Sequence, residues 1–393
     1  MLSDRQRDVI KATVPLLETG GEALTSHFYK LLLTEHSEVR PLFSEAHQAS
    51  GRQSQALARA VLKYAQHIDR LEELGPLVGQ IVSKHVSLQV LPEHYPLVGQ
   101  YLLRSIREVL GAETATDEVL EAWGVAYGQL ADILIGAEEG VYAKSAKAPG
   151  GWRGTRGFLI QKKVVESEFI TSFHLVPEDG KEVIEHAPGQ FIGLQVEVDG
   201  KEQRRNYSLS ASSNGRDYRI SVKREEGGKV SNHLHSLPVG ARLELFPPAG
   251  DVHATDIYKP LVLISAGVGI TPTISMLEKA LANGRTVHFI HCARNSRNHA
   301  FREWIQEKAE AHSELHVHIC YSQPLKDDVA DGTGHLSKKH LSDWLPTNRD
   351  IEVYFLGPTS FMAQVKRDLE ELGVPPSQTH YHFFGPASDL DNQ

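Results

Sequence analysis

The spacing of apolar residues changes twice along this chain of 393 residues, and these changes restrict the folds it can adopt. Residues 1–146 carry apolar side chains at helical intervals, with glycine and proline between the segments and no strand pattern. From Phe158 apolar and polar residues alternate, which is typical of short strands. From Tyr258 short apolar runs alternate with helical segments. We therefore predict a multidomain protein with an all-α domain, an antiparallel β-barrel and an α/β doubly wound parallel sheet.

The domain boundaries follow from the same changes. The segment KSAKAPGGWRGTRG, which ends at residue 157, has no apolar period and is rich in glycine, lysine and alanine, as linkers are. We predict domains over residues 1–146, 152–252 and 258–393, with a linker over residues 147–157.

The composition excludes several classes of protein. The two cysteines, Cys292 and Cys320, rule out a disulfide framework, a thiolate zinc cluster and an all-cysteine iron–sulfur site. The formal net charge is -9 and no basic stripe is present, so we expect no nucleic-acid partner. No run approaches the roughly 18 apolar residues of a membrane span. Residues 1–8 are charged with no apolar segment behind them, so we expect a cytoplasmic protein without a transmembrane segment.

One histidine of the helical domain is a candidate iron ligand. Val78, Ile81, His85 and Leu88 recur at spacings of three and four residues, so they share one face of a helix, which Leu91-Pro92 should end. The chain has 21 histidines, and an imidazole on an apolar face is more often a packed core residue than a ligand. The interpretation therefore depends on the residues that accompany His85.

Four other residues of this domain complete the pattern. Tyr29 adjoins an apolar helical stripe, Phe43 lies in a short connection, and Gln53 and Leu57 are four residues apart on the next helix. Each alone would be read as packing or as an exposed polar side chain. In this order, with His85, they resemble the globin family.

The resemblance to globins implies a b-type haem whose only protein ligand is His85. A covalent attachment is not expected, because both cysteines lie outside the helical domain. The resemblance also implies that Tyr29 and Gln53 are the hydrogen-bond donors of the distal pocket. Further haem contacts are implied for Phe43, Leu57 and Lys84.

Two more residues resemble the bacterial flavohaemoglobins in particular. In that family, the equivalents of Tyr95 and Glu138 form hydrogen bonds with the proximal imidazole. A carboxylate on the ring N–H makes histidine a stronger electron donor, which favours O–O bond chemistry over reversible oxygen binding. The alternative for Glu138 is a solvated charge beside Glu139 near a helix end.

The predicted barrel contains three motifs: PGQF (188–191), RNYS (205–208) and GGKVS (227–231). RNYS resembles the R-x-Y-S signature of the ferredoxin-reductase family, in which arginine meets the FAD pyrophosphate, tyrosine lies against the flavin and serine reaches the ring edge. GGKVS would add backbone N–H groups at a helix start. The resemblance implies FAD contacts from Phe191, Arg205, Asn206, Tyr207, Ser208, Gly228, Lys229, Val230 and Ser231.

The last domain should bind a pyridine nucleotide. A buried run at 261–265 is followed by the turn GVGITP (267–272) and a helix from Thr273 to Leu281. Pro272 suits the first helical turn. The third glycine of the dinucleotide fingerprint is replaced by proline, which is usual in the ferredoxin-reductase family. The turn residues implied in nucleotide binding are Gly267, Gly269, Ile270, Thr271 and Pro272.

The C-terminal part departs from that family at two positions. Leu356 stands where a cysteine is common, so hydride alignment cannot rest on a thiol, and His382 stands where a glutamate is more familiar. The aromatic residue that neighbours the flavin in that family is retained, as Phe384. The residues implied in cofactor binding here are His382, Phe384, Gly385 and Pro386.

The order of the three domains resembles the bacterial flavohaemoglobins over essentially the whole chain. Their activity, nitric oxide dioxygenation, implies that electrons pass from NAD(P)H through FAD to haem while NO and O2 become nitrate. The implied partners are NO, O2 and NAD(P)H, and no obligate protein partner is expected.

Other interpretations remain open at the level of sequence. One is an NAD(P)H-dependent haem or flavin reductase that acts on peroxides or on NO, because the same electron path would serve. Another is an oxygen-binding or oxygen-sensing globin with a maintenance reductase, for which the Tyr95 and Glu138 pair is not needed. The choice between NADH and NADPH is open, since Arg294 and Arg297 could meet a 2′-phosphate or be solvated.

Overall fold

A computed structural model describes residues 2–44, 48, 50–250, 258–385 and 390. Contacts divide the chain into two compact units, the first built mainly on residues 1–147 and the second mainly on residues 148–384. Across the described ranges, no helix has both the length and the apolar character needed to cross a membrane.

The first unit is built from α-helices, as predicted. Short 3-10 turns at Ser37–Leu42 and Leu71–Leu74 connect some of them. The apolar faces converge on one core that includes Phe28, Leu32 and Trp123. The α-helices described are α1 Asp4–Ala12, α2 Val14–Glu35, α3 Arg52–Gln66, α4 Gly75–Leu88, α5 His94–Leu110 and α6 Asp117–Lys147.

Helix α4, which carries His85, ends at Leu88, three residues before the predicted stop at Leu91-Pro92. Gln89 adopts a left-handed conformation with φ 57°, and its side chain donates to the carbonyl of Val86 at 3.0 Å. This local cap ends the helix before the proline does, because it satisfies a terminal carbonyl that the helix leaves free.

The second unit begins with a six-stranded antiparallel sheet in the order β4-β3-β6-β1-β2-β5. An isolated bridge between Leu209 and Ile220 links the end of β4 to β5, so the sheet closes into the predicted barrel. The elements are β1 Arg156–Val165, β2 Ile170–Pro177, β3 Phe191–Val198, β4 Lys201–Ser208, β5 Tyr218–Lys223, α7 Lys229–Ser236 and β6 Arg242–Leu245.

The remainder of the second unit is a parallel six-stranded sheet in the order β10-β9-β8-β7-β11-β12. Separate apolar cores cover its two faces, as in a doubly wound fold. The elements are β7 Leu261–Ala266, α8 Ile270–Ala282, β8 Val287–Ala293, α9 Arg302–Ala311, β9 Leu315–Tyr321, β10 Gly332–Thr333, α10 Lys338–Trp344, β11 Glu352–Leu356, α11 Thr359–Glu371 and β12 Thr379–Tyr381.

Helix α8 begins three residues earlier than predicted. Ile270, Thr271 and Pro272 form its first turn, so Pro272 lies in the first helical turn as expected, whereas Ile270 and Thr271 were expected in the preceding turn. Proline fits there because the first N–H groups of a helix have no intrahelical partner. The turn itself is reduced to a single 3-10 turn over Gly267–Gly269.

A buried ion pair stabilises the amino edge of the parallel sheet. Arg285 and Glu352 are 7% and 5% exposed, and their nearest N and O atoms lie 2.9 Å apart. Tyr354 donates to the other carboxylate oxygen at 2.8 Å, and Arg285 Nε donates to the carbonyl of Lys259 at 2.6 Å. Both charges are therefore compensated inside the protein.

We expect Arg285→Ala to lower the free energy of unfolding by about 3–5 kcal/mol, because Glu352 would remain buried without its partner. Urea unfolding followed by circular dichroism measures the change. Lys338→Ala is the control, since its pair with Glu371 is exposed and should change the free energy of unfolding much less. Equal losses in the two variants would contradict the assigned role of the buried pair.

Candidate functional site

The side chain of His85 is held by two residues from other helices. Its Nδ1 atom lies 2.7 Å from Glu138 Oε1 and 3.1 Å from Tyr95 Oη. Tyr95 donates to the same Glu138 oxygen at 2.5 Å. A carboxylate only accepts hydrogen bonds, so Nδ1 carries the proton and Nε2 is the nitrogen suited to bind iron.

Glu138 is 2% exposed and is therefore not the solvated helix-end charge of the alternative interpretation. It lies on α6, whereas Tyr95 lies in the first turn of α5. Burial, followed by the hydrogen bond to Glu138, raises the pKa of Tyr95. The phenol consequently stays protonated and acts as a donor to the carboxylate.

The position of Tyr95 is fixed by a residue that the sequence analysis did not single out. Tyr127 Oη donates to the Tyr95 carbonyl at 2.6 Å. Its ring packs so closely on Gly99 that a Cβ at that position would lie 2.5 Å from the ring. Tyr127 and Glu138 are eleven residues, three helical turns, apart on α6, and this spacing was a signal that could have identified Tyr127.

A second cluster joins α2 to α3. Tyr29 is 8% exposed, and its ring meets that of Phe43 edge to face at 5.5 Å. Burial raises the pKa of Tyr29, and a hydrogen bond with the Gln53 side chain opposes part of that shift. Gln48, which sequence reasoning missed, donates to Gln53 Oε1 at 2.9 Å. The structure therefore brings together Tyr29, Phe43 and Gln53, as expected for one pocket.

The two remaining residues implied in haem contact lie on the same helices. Leu57 is one turn beyond Gln53 on α3 and is partly buried against the core. Lys84 precedes His85 on α4 and is half-buried. The donor set fits haem: one imidazole has its second nitrogen tied to a carboxylate, and a protonated phenol and an amide are available for a bound gas.

The RNYS motif occupies the end of β4, as predicted. Arg205, Asn206, Tyr207 and Ser208 are all half-buried there. Tyr207 packs against the barrel core, and burial raises its pKa while the nearby Arg205 charge lowers it. A guanidinium beside a desolvated aromatic ring fits a pyrophosphate next to a flavin.

The GGKVS motif forms the start of α7. The helix begins at Lys229, and its N-cap residue is Gly228, so no N-cap side chain occupies the N–H groups of the first turn. A Cβ on Gly228 would lie 2.6 Å from Ser231 Oγ, so that side chain would have to move, and Gly227 has φ 68°, a conformation that favours glycine. Val230 is buried in the barrel core. Backbone N–H groups at such a helix start suit an anion.

Phe191 and His382, both implied in cofactor binding, form a stacked pair with ring centroids 5.4 Å apart. Phe384 is 44% exposed, whereas its neighbour Phe383 packs against the core and contacts Tyr381. Gly385 is half-buried, and Pro386 lies outside the described residues.

The nucleotide turn approaches β11 closely. A Cβ on Gly269 would overlap with the carbonyl oxygen of Leu356, and Gly267 has φ 54°. The backbone therefore requires glycine at both positions. The turn lies at the carboxyl edge of the sheet, at the point where the strand order reverses. Arg294 and Arg297 are exposed after β8, and their position leaves the nicotinamide choice open.

Comparisons with known proteins identify the same three parts. The globin family matches residues 26–134, an oxidoreductase FAD-binding domain residues 158–253 and an oxidoreductase NAD-binding domain residues 263–367. These matches confirm the predicted fold classes and the predicted set of cofactors: haem, FAD and a pyridine nucleotide.

Curated relatives align over the full chain. A protein named Flavohemoprotein from Pseudomonas aeruginosa is 63% identical, and one from Pseudomonas putida is 61% identical, with 100% of each chain covered in both cases. A flavohemoglobin from Malassezia yamatoensis, solved with bound FAD and heme, has a TM-score of 0.86 at 28% identity, with 98% of this chain and 100% of that chain covered. The FAD/NAD-binding domain of a nitric oxide dioxygenase from Vibrio cholerae has a TM-score of 0.54 at 38% identity, covering 59% of this chain and 99% of that chain.

We predict that His85→Ala abolishes haem binding, because Nε2 of this side chain is proposed as the only protein ligand. The Soret absorbance per protein, measured after purification without imidazole, tests the assignment. His67→Ala is the matched control, since His67 lies in the same unit and contacts the carbonyl of Lys63 and the side chain of Glu73, away from His85 and its partners. A normal Soret band in His85→Ala would assign the ligand elsewhere.

We predict that Arg205→Ala and Ser208→Ala impair FAD retention or reduction and leave haem content intact, because the two cofactors are proposed to occupy different domains. Flavin and haem can be quantified in the same sample by absorbance after denaturation. Arg242→Ala is the control for the loss of an arginine from the barrel, since Arg242 lies on β6, is exposed, and pairs with exposed Glu178 and half-buried Glu244. Loss of haem with full FAD content would refute the assignment of the two cofactors to different domains.

Proposed function

Because this chain belongs to the flavohaemoprotein family, we propose that it is an NAD(P)H-dependent nitric oxide dioxygenase. In the proposed reaction, two NO, two O2 and one NAD(P)H give two nitrate ions, one NAD(P)+ and one proton. When bound, FAD accepts the hydride and passes on single electrons, and haem iron binds and reduces dioxygen. The chain itself is an oxidoreductase by its FAD- and NAD-binding domains.

The observation that carries the proposal is the 2.7 Å hydrogen bond between buried Glu138 and His85 Nδ1. A carboxylate on this nitrogen fixes the tautomer and the ring orientation, and it increases the electron donation of the imidazole. Reversible oxygen storage does not call for such a strong donor, whereas O–O bond chemistry does. The contact therefore favours an enzyme over an oxygen store.

The residues of the second cluster support the same chemistry. Tyr29 has a raised pKa through burial, so at neutral pH its phenol is a donor rather than an anion. We assign to it the hydrogen bond that holds dioxygen in the pocket. Gln53 keeps the phenol in place, and Gln48 holds the amide of Gln53.

On the reductase side, Arg205 is assigned to the FAD pyrophosphate and Tyr207 to the flavin ring. The turn over Gly267–Gly269 and the start of α8 are assigned to the nucleotide. The Phe191 and His382 stack is assigned a position beside the flavin, where His382 replaces the glutamate that is familiar in the ferredoxin-reductase family.

The proposal is tested by NO consumption of the purified holoprotein under air with NADH and NADPH in parallel. A hydride carries two electrons and each turnover uses one, so we expect about two NO consumed and two nitrate formed per nicotinamide. Oxidation of NAD(P)H without nitrate formation, with faster turnover on peroxide, would favour the reductase alternative instead.

We predict that Tyr29→Phe speeds oxygen dissociation about ten- to a hundredfold, since a hydrogen bond to a partly charged acceptor contributes roughly 1.5–3 kcal/mol. Haem content and FAD reduction should stay near normal, while NO dioxygenation falls most at low oxygen. Stopped-flow displacement of oxygen measures the rate.

Tyr64→Phe is the matched control for this variant. Tyr64 is a buried tyrosine of the same unit, and its hydroxyl donates to the carbonyl of Ala126 at 2.9 Å. We expect a cost in stability and no change in oxygen dissociation. If the rate in Tyr29→Phe changed by less than about twofold, Tyr29 would be a packing residue and the donor role would pass to Gln53.

A further inference from the structure

The two cysteines of the chain, Cys292 and Cys320, lie beside each other on neighbouring strands of the parallel sheet. They are Cα partners in the register of β8 and β9, and each is the last residue but one of its strand. Partners in register project their side chains to the same face of a sheet. The two thiols are therefore direct neighbours near the carboxyl edge of the sheet, although they are far apart in sequence.

The thiols form hydrogen bonds with each other and with one backbone oxygen. Cys320 Sγ donates to the carbonyl of Gly334 at 3.4 Å. The hydrogen bond between the two thiols lowers the pKa of Cys320, and the same bond, followed by burial, raises the pKa of Cys292. Cys320 is consequently the thiol that ionises first. Because the thiolate is the reactive form of cysteine, Cys320 is the nucleophile of the pair.

The two residues differ in their access to solvent. Cys320 is 1% exposed, whereas Cys292 is half-buried and packs against the apolar core that covers this face of the sheet. A small oxidant such as hydrogen peroxide can reach the pair from the side of Cys292, but the thiol of a second protein cannot reach Cys320. Oxidation of Cys320 therefore leads to a bond with Cys292 rather than with another molecule.

The spacing of the strands allows a disulfide between them without favouring it. Neighbouring strands lie about 4.7–4.9 Å apart, which is within the Cα separations of about 4.4–6.8 Å that disulfides span. The Cβ atoms of a disulfide are closer, at about 3.5–4.5 Å, so the ends of β8 and β9 would have to approach each other slightly. A disulfide that distorts its strands in this way is more easily reduced, and its formation is therefore reversible.

The row of residues that contains the two cysteines leads to the proposed nucleotide turn. Ala266, the last residue of β7, is the Cα partner of Cys292, and the turn begins at the next residue, Gly267. The turn cannot follow a movement of β8, because a Cβ on Gly269 would already overlap with the carbonyl oxygen of Leu356. A movement of β8 towards β9 would therefore change the carboxyl edge between β7 and β8, where ligands of doubly wound sheets bind.

We propose that Cys292 and Cys320 form a reversible disulfide that lowers the affinity of this domain for its pyridine nucleotide, and that the oxidant is a peroxide. The Cys320 sulfur attacks hydrogen peroxide, the O–O bond breaks, and Cys320 becomes a sulfenic acid. The Cys292 sulfur then attacks the Cys320 sulfur, the S–S bond forms, and the sulfenic oxygen leaves as water. Overall, two thiols and one hydrogen peroxide give one disulfide and two water molecules.

This inference goes beyond the proposed function, because it concerns only the NAD-binding domain. The two thiols lose two electrons and the peroxide gains them, so no other reactant is needed. The proposal holds whichever substrate meets the haem, and a failure of NO consumption would leave it unaffected.

The first measurement is the state of the two cysteines in the reduced full-length holoprotein after treatment with hydrogen peroxide. We expect both thiols to become inaccessible to alkylation together, and a digest without reductant to contain peptides joined through Cys292 and Cys320. Dithiothreitol should restore both thiols. Thiols that remain open to alkylation, or sulfinic acid formed without the joined peptides, would overturn the proposal.

The second measurement is the reduction of FAD by NADH and by NADPH in an anaerobic stopped-flow instrument, which does not require turnover of the haem. We expect the nucleotide concentration that gives half the maximal rate to rise at least about fivefold in the oxidised protein, and dithiothreitol to reverse the change. FAD content should be the same in both states. A fully joined pair with an unchanged half-saturating concentration would contradict the proposed regulation.

Cys292→Ser and Cys320→Ala are the matched controls. Neither variant can form the disulfide, yet each exposes the flavin and the haem to the same peroxide. We expect peroxide to leave their nucleotide affinity unchanged, and a loss equal to that of the wild type would place the damage elsewhere and refute the proposal. If Cys320→Ala does not fold, Cys292→Ser decides alone, because this half-buried position accommodates a hydroxyl more readily.

Discussion

The hydrogen bond between Glu138 and His85 is the interaction on which the first unit depends. A buried carboxylate costs several kcal/mol unless hydrogen bonds compensate it. Glu138 Oε1 accepts from both His85 and Tyr95, but Glu138 Oε2 has no hydrogen-bond partner among the described residues. Proteins retain incompletely satisfied buried polar groups mainly at functional sites, and the role that we propose for Glu138 is to orient the imidazole and increase its electron donation.

Hydrogen bonds from tyrosine side chains fix the position of the helix that carries this carboxylate. Tyr127 and Tyr142, both on α6, donate to the carbonyls of Tyr95 and Val90, and Tyr64 on α3 donates to that of Ala126 on α6. Each phenol buries an apolar ring and satisfies a backbone oxygen of another helix. These hydrogen bonds join α6 to segments before and after His85 in the chain. The position of α6 in turn fixes the position of Glu138.

In the second unit, a close backbone approach and hydrogen bonds from one helix position the segments that carry the motifs. Gly269 brings the nucleotide turn against Leu356 at the carboxyl edge of the sheet. Ser275, on the helix after that turn, accepts a hydrogen bond from the N–H of Gly189 at 3.2 Å, and Glu278 accepts from the N–H of Ser212. Helix α8 therefore joins the parallel sheet to the barrel segments around Phe191, where the flavin is proposed to lie.

The sequence alone determined the succession of folds and the elements that carry the motifs. Hydrophobic period is a local property, so the helices, the alternating strands and the parallel-sheet runs could be recognised without tertiary information. The helix that carries His85 and the strand that carries RNYS were predicted for the same reason. The predicted end of α4 and the predicted start of α8 each differed from the structure by three residues, because a local cap at Gln89 ends α4 and because helix ends are poorly marked by local pattern.

Only the tertiary structure decided which side chains meet. His85, Tyr95 and Glu138 come from three helices, and their mutual distances depend on how those helices pack rather than on any local pattern. Packing also decides the burial of Glu138, the support from Gln48 and Tyr127, and the stack of Phe191 on His382. Sequence spacing places a residue on a face of an element, whereas contact between faces is set by the packing of elements far apart in the chain.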